Sequence, residues 1–202
     1  MSTKIRTVSD YRNSGTVING SVGRVYGHVD SLTNNFFMNA QKSKPALPHL
    51  DHEFDYSCYN LLVSDDDELE QSGCVMIEKS KSLNESTPRE LMRLGRLTPD
   101  CVAQLKKFPA IIATENHSDR GTDSEHMAYY GYITDVRVQD NGVKVRYQAL
   151  NEIPQQKLNE LESEIGLQFC TAVNELDCPH WAAKNVNIVE VLKANGIFVF
   201  KL

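Results

Sequence analysis

Between residues 108 and 166 the order of apolar and polar positions changes period twice, and the predicted elements follow from those changes. Tyr129–Val138 and Val143–Tyr147 are runs rich in β-branched and aromatic residues, separated by Asp140-Asn141-Gly142. Asn-Gly suits the positive φ angles of a tight turn, so the pattern predicts an antiparallel hairpin. Arg137, Lys144 and Arg146 interrupt the apolar positions, which predicts one wet and one dry face.

Other strands are shorter. Gly73–Ile77 and Pro109–Thr114 read as strands, the second apolar and bounded by proline, and Tyr59–Val63 as a short buried segment. Phe169–Val173 and the Ile197–Phe200 tail complete the set. Helices announce themselves by their caps: Thr87-Pro88-Arg89-Glu90 and Thr98-Pro99-Asp100 each offer an N-cap threonine followed by proline. After the second, Val102, Leu105 and Phe108 share a helical face. Pro154 to Ile165 carries Leu158, Leu161 and Ile165 on one stripe and stops at Gly166, and Val186–Lys193 reads as a short helix.

Strands near 73–78, 109–114, 129–139, 143–149 and 197–201 predict an α+β fold: a small antiparallel sheet, curved or partly closed into a β-barrel, flanked by three to four short helices. Residues 1–70 are polar and turn-rich and form an N-terminal appendage; 71–202 form the main domain. No internal period indicates a repeat architecture.

Composition narrows the function classes. With 41% hydrophobic and 24% charged residues the chain has the balance of a packed globular protein, so wholesale disorder is disfavoured. A formal net charge of -6 argues against a protein that coats nucleic acid through a broad positive field. The five cysteines form no CxxC pair, and an odd count suits a reducing, cytoplasmic setting. The first residues lack a signal-peptide apolar core, and no stretch reaches the roughly 20 apolar residues that span a bilayer.

Candidate chemistry concentrates in one loop. Glu115 to His126 brings two histidines, four carboxylates and an arginine between two apolar strands. His117 or His126 would accept a proton or ligate a metal, with Glu115 or Asp119 orienting or completing the set. His49 and His52 sit among three carboxylates but lack the HExxH spacing, so they are weaker metal candidates. Gly20–Gly27 lacks the Lys-Ser or Lys-Thr of a phosphate loop. Ser64–Glu70 is a dense acidic run that reads as an exposed loop or a domain seam, with a basic partner as the minority reading. The Cys178-Pro179-His180-Trp181 segment reads as a tight polar turn in which Trp181 anchors and His180 bonds a backbone group; a Cys–His nucleophile is the lesser alternative.

A surface for partners is expected on the hairpin: Tyr130, Tyr132, Arg137, Lys144 and Arg146, together with Trp181, are the candidate binding residues. No nucleophile elbow, kinase set, Rossmann fingerprint or zincin helix is present, and no cofactor is expected. The favoured function is therefore a non-catalytic adaptor subunit of a cytoplasmic assembly that contacts another protein. A metal-assisted hydrolase, acting on a phosphodiester through His117, His126 and nearby carboxylates, is the alternative. Nucleic-acid binding through the 129–147 hairpin is the third reading, and membrane association is not expected.

Overall fold

The computed structural model describes residues 53–66, 69, 72–84, 86–119, 121–167 and 174–201, which belong to one compact unit beginning at residue 50. Its centre is a six-stranded sheet. In chain order the strands are β1 (Tyr59–Ser64), β2 (Ser72–Ile77), β3 (Pro109–Thr114), β4 (Met127–Gln139), β5 (Gly142–Pro154) and β6 (His180–Lys184). Their spatial order is β2-β5-β4-β3-β1-β6; β1 and β3 run parallel and every other pair is antiparallel.

Four short helices flank the sheet among the described residues: α1 (Pro99–Leu105), α2 (Gln155–Glu160), α3 (Glu162–Ile165) and α4 (Ile188–Ala194). The fold is thus α+β with a curved sheet, as the pattern predicts, but the sheet stays open and contains one parallel pair. β1 lies deep in it, although the sequence places Tyr59–Ser64 on the N-terminal side of the 70/71 division.

The burial of β1, β3 and β6 explains both layers. All residues of these strands are buried, as expected when helices and turns cover both faces. On one face Leu62, Ile112, Val75 and Val145 pack with Leu94, Leu105 and Phe108 from α1 and the turns before and after it. On the other, Leu61, Ile111, Tyr130 and Ile153 pack with Leu158, Ile165, Ile188 and Leu192. Trp181, the only tryptophan, is fully buried and donates its indole N–H to Asn60 Oδ1 at 3.1 Å.

The long β4–β5 hairpin carries register shifts at Tyr130/Gly131 and Ile133/Asp135. Such bulges bend and twist a strand pair, which accounts for the curvature. At Gly131 a Cβ would overlap the Gln148 carbonyl oxygen, so close backbone approach selects glycine there. The hairpin turns at Asp140–Asn141, yet neither residue takes a positive φ. Gly142 is required for space instead, since a Cβ would stand 2.6 Å from the Ile77 carbonyl oxygen.

Three local expectations change. Thr98 caps α1, accepting from the Cys101 amide at 3.4 Å, but Thr87 starts no α-helix. Its hydroxyl accepts from the Ala183 amide at 3.2 Å, and the chain continues through turns into a 3-10 segment, Met92–Arg96. Residues 180 and 181 open β6 rather than forming a turn. The Ile197–Phe200 tail forms no strand, because the Asn151 side chain, not a backbone ladder, receives the Phe200 amide at 3.0 Å. The Phe169–Val173 strand and the Gly20–Gly27 segment lie outside the described residues.

Candidate functional site

The registers gather polar chemistry at one end of the sheet. β1 and β3 end at Ser64 and Thr114; Val63 pairs with His180, Ile112 precedes the Met127 end of β4, and Met127 pairs with Pro154. The segments at this end therefore bring Glu115, Asn116, His117, His126, Gln155 and His180 to the same region from four strands. Ser64, Thr114, Gln155, Asn159, Asn174, Glu175 and His180 are all buried there.

Asn116 is the hub. Its Nδ2 donates to Asp177 Oδ1 at 2.7 Å and to Asn159 Oδ1 at 3.0 Å, while its Oδ1 accepts from Gln155 Nε2 and Asn159 Nδ2, both at 3.0 Å. Asn174 extends the network by donating to Asn159 Oδ1 at 3.1 Å, and it caps the turn Glu175–Asp177 by accepting from the Leu176 amide. These bonds tie the 115–126 loop, α2 and the 174–177 turn into one unit, although Gln155 Oε1 is buried there without a hydrogen-bond partner among the described residues.

The 115–126 loop brings two of its candidates together. The rings of His117 and His126 meet edge to face with centroids 4.3 Å apart. Asp123 Oδ2 lies 2.9 Å from His117 Nδ1, and its other oxygen accepts from the amides of Glu125 and His126. The Glu125 amide, ahead of the His117 imidazole, holds the Asp123 carboxyl below the usual range. His126 Nε2 stands 2.7 Å from Thr114 Oγ1; burial first, then the neighbouring His117, push the His126 pKa down. Asp119 stays exposed outside this arrangement, and Glu115 turns to a different feature, a cavity. Among the described residues no group of three or more His, Cys, Asp and Glu side chains is arranged to hold a metal ion, so His117 and His126 do not assemble a ligand set. His49 and His52 lie outside the described residues.

The cavity, of about 480 Å³, lies between the 80–86 and 174–180 segments beside β6, with Lys81, Ser86, Glu115, Asn174, Glu175 and His180 in its wall. Behind it stands a buried trio. His180 and Lys184, four apart on a strand, share a face, and Glu175 lies between them. Glu175 Oε2 is 3.0 Å from His180 Nε2, and Oε1 accepts from Lys184 Nζ, which also donates to the Ser86 carbonyl at 2.8 Å. Burial lowers the Lys184 pKa, opposed by the Glu175 carboxylate. His180 Nδ1 meets the Cys178 carbonyl at 2.9 Å, so the histidine bonds a backbone group as expected, and its ring is turned to that oxygen rather than to a thiolate. Sequence reasoning missed Asn116, Asn159, Asn174, Glu175 and Lys184 because they come from four separate segments with no local spacing to mark them.

The expected partner surface divides. Tyr130, Tyr132 and Trp181 are buried, as is Tyr147, so these aromatics present no stacking face. Burial also drives the Tyr130 phenol up. The cations remain outside: Cys74 pairs with Arg146 and that with Asp135, and Met76 with Lys144 and that with Arg137, giving one solvent-facing patch across β2, β5 and β4. Arg137 bonds Asp135 at 2.8 Å, whereas Lys144 and Arg146 have no acidic partner among the described residues. Met76 and Val138 are the large apolar side chains exposed on these strands.

No helix among the described residues is long and apolar enough to cross a membrane. No protein-family model, curated protein or solved structure matches the chain.

Proposed function

We propose that the chain is a protein-interaction module, an adaptor that receives an extended, acidic segment of a partner protein along β2. The carrying observation is the contrast between the two edges of the sheet. At β6 the edge is covered, since the Leu83 amide donates to the Trp181 carbonyl at 2.7 Å and the Ala183 amide to Thr87 Oγ1. β2, Ser-Gly-Cys-Val-Met-Ile, ends the other side with no charge and no proline, and no described residue bonds its outer edge. Bare edges of this composition are templates for an added strand, and proteins that do not use them ordinarily block them with charge or proline.

Charge selects the partner. Lys144 and Arg146, which have no acidic partner among the described residues, stand opposite Met76 and Cys74 of β2 and leave positive charge beside that edge. An added strand would lie about 10 Å from β5, within joint reach of an arginine or lysine and a glutamate, across the small Cys74.

The test is selection from a displayed library of ten-residue peptides against the whole protein, followed by hydrogen exchange of the β2 amides. Extended acidic sequences should be enriched, and their binding should be lost in Lys144→Glu/Arg146→Glu. Enrichment that ignores charge, or binding untouched by those changes, refutes the reading.

A second reading keeps one observation in its favour. Asp123 engages His117 Nδ1, leaving Nε2 as the nitrogen available to a substrate, which is the arrangement of an oriented general base. Hydrolysis of a generic phosphodiester that disappears in His117→Ala would support it; activity retained in that variant would dismiss it.

A further inference from the structure

We propose that the cavity beside β6 binds a small zwitterion of the amino-acid type, a free amino acid or a dipeptide, independently of any strand on β2. Two observations join here. Lys81 and Glu115 both line the cavity, and neither has an ion-pair or side-chain hydrogen-bond partner among the described residues. A cavity wall with an unpaired cation and an unpaired carboxylate is matched by a ligand carrying the opposite pair.

The second observation fixes the bias of the buried wall. The Cys178 carbonyl can only accept, so His180 Nδ1 carries a proton. His180 Nε2 and Lys184 Nζ both engage the Glu175 carboxyl group. Glu175 is thus countered inside the wall and does not face an incoming anion alone; the ligand carboxylate sits toward Lys81, and the ligand ammonium toward Glu115. Asn174 and Ser86 add neutral polar surface beside it. A volume of about 480 Å³ lies within the span of small-molecule sites, roughly 300–1,000 Å³, and exceeds what one water occupies.

The experiment is a thermal-shift screen of the full chain with each of the common amino acids and a set of dipeptides. The matching amines without carboxylate and acids without ammonium serve as controls. At least one zwitterion should raise the melting temperature by mass action, more than either of its one-charge analogues. Lys81→Met should weaken it on the order of tenfold, the loss of one charge-assisted hydrogen bond. Glu115→Gln should remove the preference for the zwitterion over the acid analogue. Lys81 is exposed and Glu115 half-buried, so both variants leave the cores untouched. The dipeptide arm tells which source of the chemistry is used. The proposal fails if no zwitterion raises the melting temperature, or if a shift survives both substitutions.

Discussion

Replacing Glu175 by leucine is the most informative test of the buried trio. Glu175 is 2% exposed and Lys184 5%. In Glu175→Leu the Lys184 ammonium keeps only the Ser86 carbonyl, and His180 Nε2 loses its partner. Breaking a buried pair by removing one member costs about 3–5 kcal/mol, because the remaining charge stays buried. For a domain of this size that lowers Tm by roughly 10 °C. Lys184→Met should cost less, about 3 kcal/mol, since His180 still donates to the carboxylate. The double variant removes both charges and leaves one unsatisfied imidazole nitrogen, about 1–3 kcal/mol. The cycle should therefore show a coupling of about 5 kcal/mol, and at least about 3, which is above the usual range for contacting residues. Urea unfolding read by Trp181 fluorescence is the assay, because the only tryptophan is fully buried on the same strand. Additive single effects, or a Glu175→Leu cost below about 1 kcal/mol, would refute the view of Glu175 as the counter-charge that makes Lys184 tolerable.

Two further outcomes follow from the packing and the loop. Gly131→Ala should fail to give a native hairpin, with loss of cooperative melting, because its Cβ would overlap the Gln148 carbonyl oxygen and approach Ala149 Cα to 2.9 Å; normal melting would show that the bulge relaxes. His126 has a folded pKa below its ordinary 6.5, so the unfolded state binds the proton first. Its contribution is full above 6.5, falls as the pH drops from there toward the folded value, and levels off below it. In Tm-against-pH curves His126→Gln should flatten this acid limb, and an unchanged limb would rule out His126 as its source.

Much of the fold was legible because its strands are local and strongly patterned. Pro109–Thr114 matches β3 residue for residue, and the hairpin strands and the Thr98 cap follow from alternation and cap chemistry that act within a few residues, although the turn closes at Asp140–Asn141 without a positive φ at either. Thr87 misled because a cap is a competition: its hydroxyl found the Ala183 amide of an edge strand 96 residues away. The tail misled because apolar residues alone do not supply a pairing edge, and Phe198 is left 76% exposed. Burial of Tyr130 and Tyr132 was hidden by alternation itself, since two-sided cover hides both faces of a strand. The candidate site was half visible. Histidines nine residues apart in one loop can be expected to meet, and His117 and His126 do. The amide network and the Glu175 trio depend on strand order, with the parallel β1–β3 pair carrying distant segments to one end, and no local pattern encodes that.

The most direct test of the central claim is residue-resolved hydrogen exchange of β2 with a selected acidic peptide bound to the whole protein. The account predicts new protection on the amides of Ser72–Ile77 that face away from β5, absent with a charge-reversed peptide and absent in Lys144→Glu/Arg146→Glu. Binding with unchanged exchange along β2, and protection elsewhere, would contradict it.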